Sequence, residues 1–141
     1  MPQDTAQTAR STATPEEDRP MKTAILRGLR CRCPNCGKGK LLTGYLTVRA
    51  SCAVCGEDYT AQRADDGPAY LTILVVGHLM APLMLAVFVA YRPSPMGMML
   101  GFGIGCVALT LALLPRFKGL IVAIQWSRRM HGFGLGEANV A

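Results

Sequence analysis

Two long stretches without a single charged side chain constrain this chain more than anything else in it. Residues 68–91 form an uncharged run of 24, and residues 96–115 form a second run of 20. A helix needs about 20 apolar residues to span roughly 30 Å of hydrocarbon. The first run holds eleven Leu, Ile, Val and Phe side chains. Each favours insertion by about 0.3–0.6 kcal/mol, and their sum outweighs one neutral histidine. Pro68 suits the first turn of a helix, where its missing N–H costs nothing. The second run carries four glycines, Gly97, Gly101, Gly103 and Gly105, a residue more frequent in membrane helices than in soluble ones. Residues 92–95 between the runs are too few for anything but a tight loop. The expected anchor is an α-helical transmembrane hairpin, with helices over 68–91 and 96–115 and a periplasmic loop over 92–95.

Basic residues fix the expected orientation, because they stay on the cytoplasmic side. The loop has only Arg92, whereas Arg49 and Arg63 precede the first run and Arg116, Lys118, Arg128 and Arg129 follow the second. Both termini are therefore expected in the cytoplasm, with the chain in a bacterial-type inner membrane. The same bias accounts for the net charge of +6. Residues 1–20 carry acids and no apolar core, the opposite of a secretory leader, and read as a disordered tail. Residues 134–141 read as a second tail. Residues 120–126 are apolar, but seven residues cannot cross a bilayer. With Trp126 and its flanking arginines, the 116–133 segment reads as a short cytoplasmic interfacial helix. The other arrangement is a second helix that continues, kinked at Pro115, beyond the bilayer.

Residues 21–62, the polar head, hold five of the six cysteines. Four of them make two pairs, Cys33-Pro34-Asn35-Cys36-Gly37 and Cys52-Ala53-Val54-Cys55-Gly56, with fifteen residues from one pair to the next. This is the spacing of a structural zinc site. Two residues between cysteines let the chain turn so that both sulfurs reach one ion, and the following glycine permits the positive φ such a turn needs. Disulfides would need an oxidising compartment, which the expected topology does not provide. The predicted fold is a small zinc ribbon of β-hairpin knuckles, with Cys33, Cys36, Cys52 and Cys55 as ligands. A basic lead-in of one or two helical turns (residues 21–30) precedes it, and a charged junction (residues 63–67) follows. So short a head buries little on its own, so metal is expected to supply the folding energy. Thiolate ligands suit iron as well as zinc, which keeps a rubredoxin-like iron site as the alternative.

Other residues carry weaker signals. Cys31 reads as a small residue packed beside the site, rather than a fifth ligand or a reactive thiol. Cys106 reads as an ordinary small apolar residue. His78 falls about 15 Å into the first helix at 1.5 Å per residue, and Pro82 four residues later withholds the N–H that its carbonyl would use. An intramembrane ionisable residue is a functional candidate, weighed against a simple packing contact. Gly97, Gly101 and Gly105 line one face of the second helix, where small residues allow close approach of the first helix or of another protein. His131 reads as a surface residue. Arg30, Arg32, Lys38, Lys40 and Arg49, with Tyr45, suit either nucleic acid or an anionic lipid leaflet, and in a membrane protein nucleic acid is the weaker reading.

The run Arg27-Gly28-Leu29-Arg30-Cys31-Arg32-Cys33-Pro34-Asn35-Cys36-Gly37, with Cys52-Ala53-Val54-Cys55-Gly56-Glu57-Asp58-Tyr59, resembles the bacterial domain-of-unknown-function family numbered 983. Arg63-Ala64-Asp65-Asp66-Gly67-Pro68-Ala69-Tyr70, His78, Gln125-Trp126 and Met130-His131-Gly132-Phe133 extend the resemblance over residues 25 to 133. It implies a zinc-ribbon head on two membrane helices. Genes of that family often stand beside those of cytochrome oxidase subunits and assembly factors, which implies a role in respiratory-complex biogenesis. The expected function is a non-enzymatic interaction or assembly module, with membrane lipid and a membrane protein as partners, the latter a respiratory oxidase or its assembly factors. A metal- or haem-handling protein is the alternative, with His78, His131 or Cys31 as transient ligands. A membrane-tethered nucleic-acid binder ranks third.

Overall fold

The computed structural model of the protein describes residues 19–133. The tails expected over residues 1–20 and 134–141 lie outside these residues, apart from Arg19 and Pro20. Three α-helices and one short 3₁₀ turn follow one another: α1 (Met21–Leu29), α2 (Gly67–Tyr91), α3 (Pro95–Ser127) and the turn Met130–Gly132.

Both uncharged runs are helical. The most apolar windows of α2 and α3 have mean hydropathies of 2.4 and 2.1, and both helices are long and apolar enough to cross a membrane. Pro68 stands in the first turn of α2, and Pro82 stays within the helix. Arg92 closes α2 in the left-handed region, its N–H bonded to the Phe88 carbonyl. Ser94 then caps α3 by accepting from Gly97 N–H at 3.3 Å, an N-cap interaction that satisfies one orphan donor. On α2, Pro68, Thr72 and Val76 are buried, all in its first ten residues. The remaining Leu, Val and Phe side chains point largely outward.

One boundary differs from expectation. There is no separate interfacial helix over 116–133: α3 runs unbroken through Pro115 to Ser127. At 33 residues it is about 50 Å long, some 20 Å more than the hydrocarbon requires. The extra length is the centre of the head. Val122, Ala123 and Trp126 of α3 form one core with Ala24, Cys33, Leu41, Cys52, Tyr59, Ala64 and Phe133. At this internal proline the head supplies the donor that the proline removes. Pro115 has no N–H for the Leu111 carbonyl, and the Tyr45 hydroxyl donates to that oxygen instead.

The head is bound to α3 at the backbone level. Ala24 and Gly28 on α1, and Gly119 and Ala123 on α3, are all buried. Each pair is four residues apart, so each forms a strip of small residues on one helix face. A Cβ on Gly28 would come within 2.5 Å of the Gly119 carbonyl oxygen and 2.6 Å of the Ala123 Cβ. The two helices therefore meet main chain to main chain, an approach that larger residues forbid.

The knuckles differ from expectation too. Among the described residues there is no β-strand. The expected hairpins reduce to three isolated antiparallel bridges, Arg32 with Lys40, Leu42 with Val48, and Ser51 with Asp58. The first and third bridges each close around a cysteine pair and the second around residues 43–47, so each ladder stops after one bridge.

Candidate metal centre

Each knuckle folds by the same local device. Gly37 N–H bonds to the Cys33 carbonyl at 2.9 Å, and Gly56 N–H to the Cys52 carbonyl at 3.0 Å. Both glycines take the left-handed conformation, φ 69° and 75°, as the spacing required. Short returns then close each loop, from Cys33 N–H to Gly39 and from Cys52 N–H to Glu57, both 2.8 Å. Gly39 has a further role. A Cβ there would overlap the Cys52 sulfur, so the first knuckle admits the second only because this position lacks a side chain.

The result brings Cys33, Cys36, Cys52 and Cys55 together, every sulfur within 4.8 Å of every other. Across the knuckles, Cys33 Sγ lies 3.6 Å from Cys55 Sγ, and Cys36 Sγ lies 3.8 Å from Cys52 Sγ. Four sulfurs at about 2.3 Å from a tetrahedral zinc would stand about 3.8 Å apart. The thiols thus have the spacing of a thiolate cage and can hold a metal ion such as zinc. Among the described residues they are the one group of three or more metal-ligating side chains.

The electrostatics fit a cation. Burial opposes ionisation of Cys52, but the N–H groups of Cys55 and Val54 and the neighbouring thiols outweigh it and draw the thiol down to about 6. Burial and the neighbouring thiols push Cys55 up to about 12. The protein alone stabilises some of the thiolates at the expense of others, and a divalent ion at their centre removes that conflict. Tyr59 is fully buried beside Cys33 and Cys52, its hydroxyl lacking an ordinary hydrogen-bond partner among the described residues. A metal-bound thiolate is a better acceptor for this hydroxyl than a neutral thiol.

The surrounding contacts tie the cluster to α1 and α3. Arg27 of α1 donates to the carbonyls of Pro34 and Asn35, at 3.0 and 2.5 Å, holding the first knuckle. Asn35 donates to Glu57 Oε2 at 3.1 Å, and Trp126 Nε1 donates to Glu57 Oε1 at 2.7 Å. Glu57, directly after the second knuckle, therefore links both knuckles to α3. Arg19 stacks 4.5 Å from the Trp126 ring centre and donates to the Trp126 carbonyl at 2.9 Å. The amide of Gln125 accepts from Arg63 N–H and donates to the Arg63 carbonyl, both at 2.9 Å. That pairing fixes the 63–67 junction against the same helix.

The structure separates the remaining candidates from the cluster. Cys31 is no fifth ligand. It follows the α1 C-cap in the left-handed region at φ 55°, and its N–H bonds to Gly28 while Arg32 N–H bonds to Arg27. This is a Schellman closure in which cysteine stands where glycine is usual. Its sulfur lies 3.5 Å from the Pro115 carbonyl, a contact glycine could not make. His131 is exposed on the 3₁₀ turn. His78 is exposed on α2, with Nδ1 2.8 Å from the Leu74 carbonyl of its own helix. A Cβ added at Gly101 or Gly105 would meet nothing within 4 Å, and one at Gly97 only Ser94 Oγ. The glycine stripe therefore does not pack on α2.

The family model described as "Protein of unknown function (DUF983)" matches residues 42–126, more than half of the chain. The chain belongs to the DUF983 family. In this DUF983 chain the matched region begins after the first knuckle. It takes in Cys52, Cys55, Glu57, both long helices and the Gln125-Trp126 pair. No curated protein and no solved structure matches it.

Proposed function

We propose that this chain is a non-enzymatic zinc-ribbon protein of the bacterial inner membrane, serving as an interaction or assembly module. The observation that carries the reading is the four-thiol cluster, closed on itself and built onto the same helix that continues through the apolar anchor. Four thiolates fill a tetrahedral ion and leave no position for substrate or water. The metal in this reading is an organiser of shape. Core packing and the Glu57–Trp126 and Gln125–Arg63 contacts make head and α3 one piece, so a partner bound to the head would hold α2 and α3 in a fixed place.

In this reading α2 and α3 span the membrane with both ends in the cytoplasm, supported by four basic residues after residue 115 against one in the loop. The gene neighbourhood implied by the resemblance favours respiratory-complex biogenesis, with cytochrome oxidase subunits or their assembly factors as partners. The test is purification of the full chain in mild detergent, with metal analysis and identification of the co-purifying proteins. One zinc per chain and oxidase-related partners, both lost in Cys36→Ser, are expected. Partners unchanged in the zinc-free variant would take recognition away from the head and refute the module as described.

A further inference from the structure

Beside the metal centre, on the far side of Cys31, lies a cleft that the proposed function does not use. Its main cavity, about 530 Å³, is lined by Leu29, Arg30, Cys31, Arg32, Ala112, Pro115 and Arg116. A second cavity of about 310 Å³ shares Arg30, Cys31 and Arg32 and adds Lys38, Lys40 and Leu42. Five cations line the pair, and no carboxylate does. Local structure explains the crowding. The left-handed turn at Cys31 reverses the chain between two arginines, and its sulfur contact to Pro115 holds them against α3. The Arg32–Lys40 bridge then brings the lysine side of the knuckle alongside.

The position of the cleft decides what it would take. Ala112 and Pro115 belong to the last turn of the uncharged run, and Arg116 is the first charge after it. The cleft thus has an apolar wall at Ala112 and Pro115, with cations from the head and from Arg116 around it, at the level where α3 leaves the apolar region. Tyr45 reaches α3 at this same level, on the Leu111 carbonyl, and tyrosine gathers where a membrane meets water. Leu111 itself is 53% exposed, an apolar surface leading away from the cleft. A polyanion in bulk solvent, such as RNA, gains nothing from such a wall.

The geometry points to a binding site for the phosphate of an anionic phospholipid headgroup, with its acyl chains lying along the Leu111–Ala112 surface. Arg30 and Arg32 supply planar guanidinium forks that match phosphate oxygens; Arg116, whose Nη1 donates to the Ala112 carbonyl at 3.1 Å, offers its remaining N–H groups, and Lys38 and Lys40 add charge from the second cavity. The assignment rests on the reading that α2 and α3 cross a bilayer.

The experiment keeps that premise separate. Full-length protein is reconstituted into phosphatidylcholine nanodiscs with and without phosphatidylglycerol, and lipids retained after extraction are counted by native mass spectrometry. Insertion into both discs establishes the anchor, and failure to insert would sink the membrane reading itself. Wild type is expected to retain one phosphatidylglycerol in preference to phosphatidylcholine. Loss of a single charge-assisted contact should weaken retention about tenfold in Arg116→Gln. Arg30→Gln/Arg32→Gln should abolish it, while Arg92→Gln, at the opposite end of the anchor, should not matter. Metal content reports folding of each variant, and if the double variant loses metal, Arg116→Gln alone decides. Equal retention by Arg116→Gln overturns the site. So does displacement of the lipid by inorganic phosphate alone, which would make it a soluble-phosphate site. RNA binding that persists in phosphatidylcholine discs and falls steeply with salt would reassign the cations to nucleic acid.

Discussion

Gly28→Ala is the smallest change that should separate the head from its helix. The added methyl would lie 2.5 Å from the Gly119 oxygen and 2.6 Å from the Ala123 Cβ. Ordinary contacts of that kind are about 3.5–4.0 Å, so α1 and α3 would have to part by about 1 Å. Two of the three nearest atoms are backbone, and no rotamer change relieves them. Overpacking of this sort costs about 1–3 kcal/mol. Helix propensity works the other way, since alanine gains about 1 kcal/mol over glycine within a helix. At contacts this close the steric cost exceeds that gain. The chain's one tryptophan, Trp126, sits in the interface concerned, so its fluorescence during heating in detergent reports the event directly. A net loss of up to about 2 kcal/mol should lower the melting temperature by several degrees. Gly101→Ala is the matched control. Its methyl meets nothing within 4 Å, so propensity alone should act and the protein should be no less stable. A Gly28→Ala protein as stable as Gly101→Ala would refute the backbone contact between α1 and α3.

Cys36→Ser and Cys55→Ser should each lose the metal, while Cys31→Ser should keep it, measured by metal analysis of the purified chains; metal loss in Cys31→Ser would place the first ligand wrongly. Tyr45→Phe should cost about 1 kcal/mol by stranding the Leu111 carbonyl, yet cost nothing when Pro115→Ala restores that carbonyl's helical donor. A double-mutant cycle in thermal stability checks the pair, and equal costs in both backgrounds would mean the hydroxyl does not serve the proline.

The elements that a reader of the sequence can place are those dictated by short-range rules. The two uncharged runs were legible because helix length against bilayer thickness leaves little choice. The cysteine pairs were legible because a turn of fixed length must bring both sulfurs to one point, and Gly37 and Gly56 adopt the positive φ that this requires. What was missed lies in contacts across the chain. The small-residue rule points first to Gly97, Gly101 and Gly105, where the described residues offer no partner. The same four-residue spacing in Ala24 and Gly28, and again in Gly119 and Ala123, is the one used. The second strip falls within the 116–133 segment, whose course the local sequence leaves open, so nothing nearby marks its match to α1. Spacing alone marks a face that can be approached closely, without marking which face is.

Pro115 leaves both arrangements of the 116–133 segment open for a related reason. A proline in a helix removes one donor and crowds the preceding turn, and nothing local decides whether the helix ends there or continues. The deciding atoms are remote in sequence: the Tyr45 hydroxyl on the Leu111 carbonyl and the Cys31 sulfur near the Pro115 carbonyl. Both come from the head, and both would be without function if α3 ended at the proline. The head in turn would lose Val122, Ala123 and Trp126 from its core. Proline, head and helix extension therefore depend on one another, and the metal need not carry the folding of the head alone. The 21–62 segment, cut from α3, should be a poorer scaffold for the four thiols than the whole chain, because Glu57 and Arg27 position the knuckles only while Trp126 and Gly119 hold them in place.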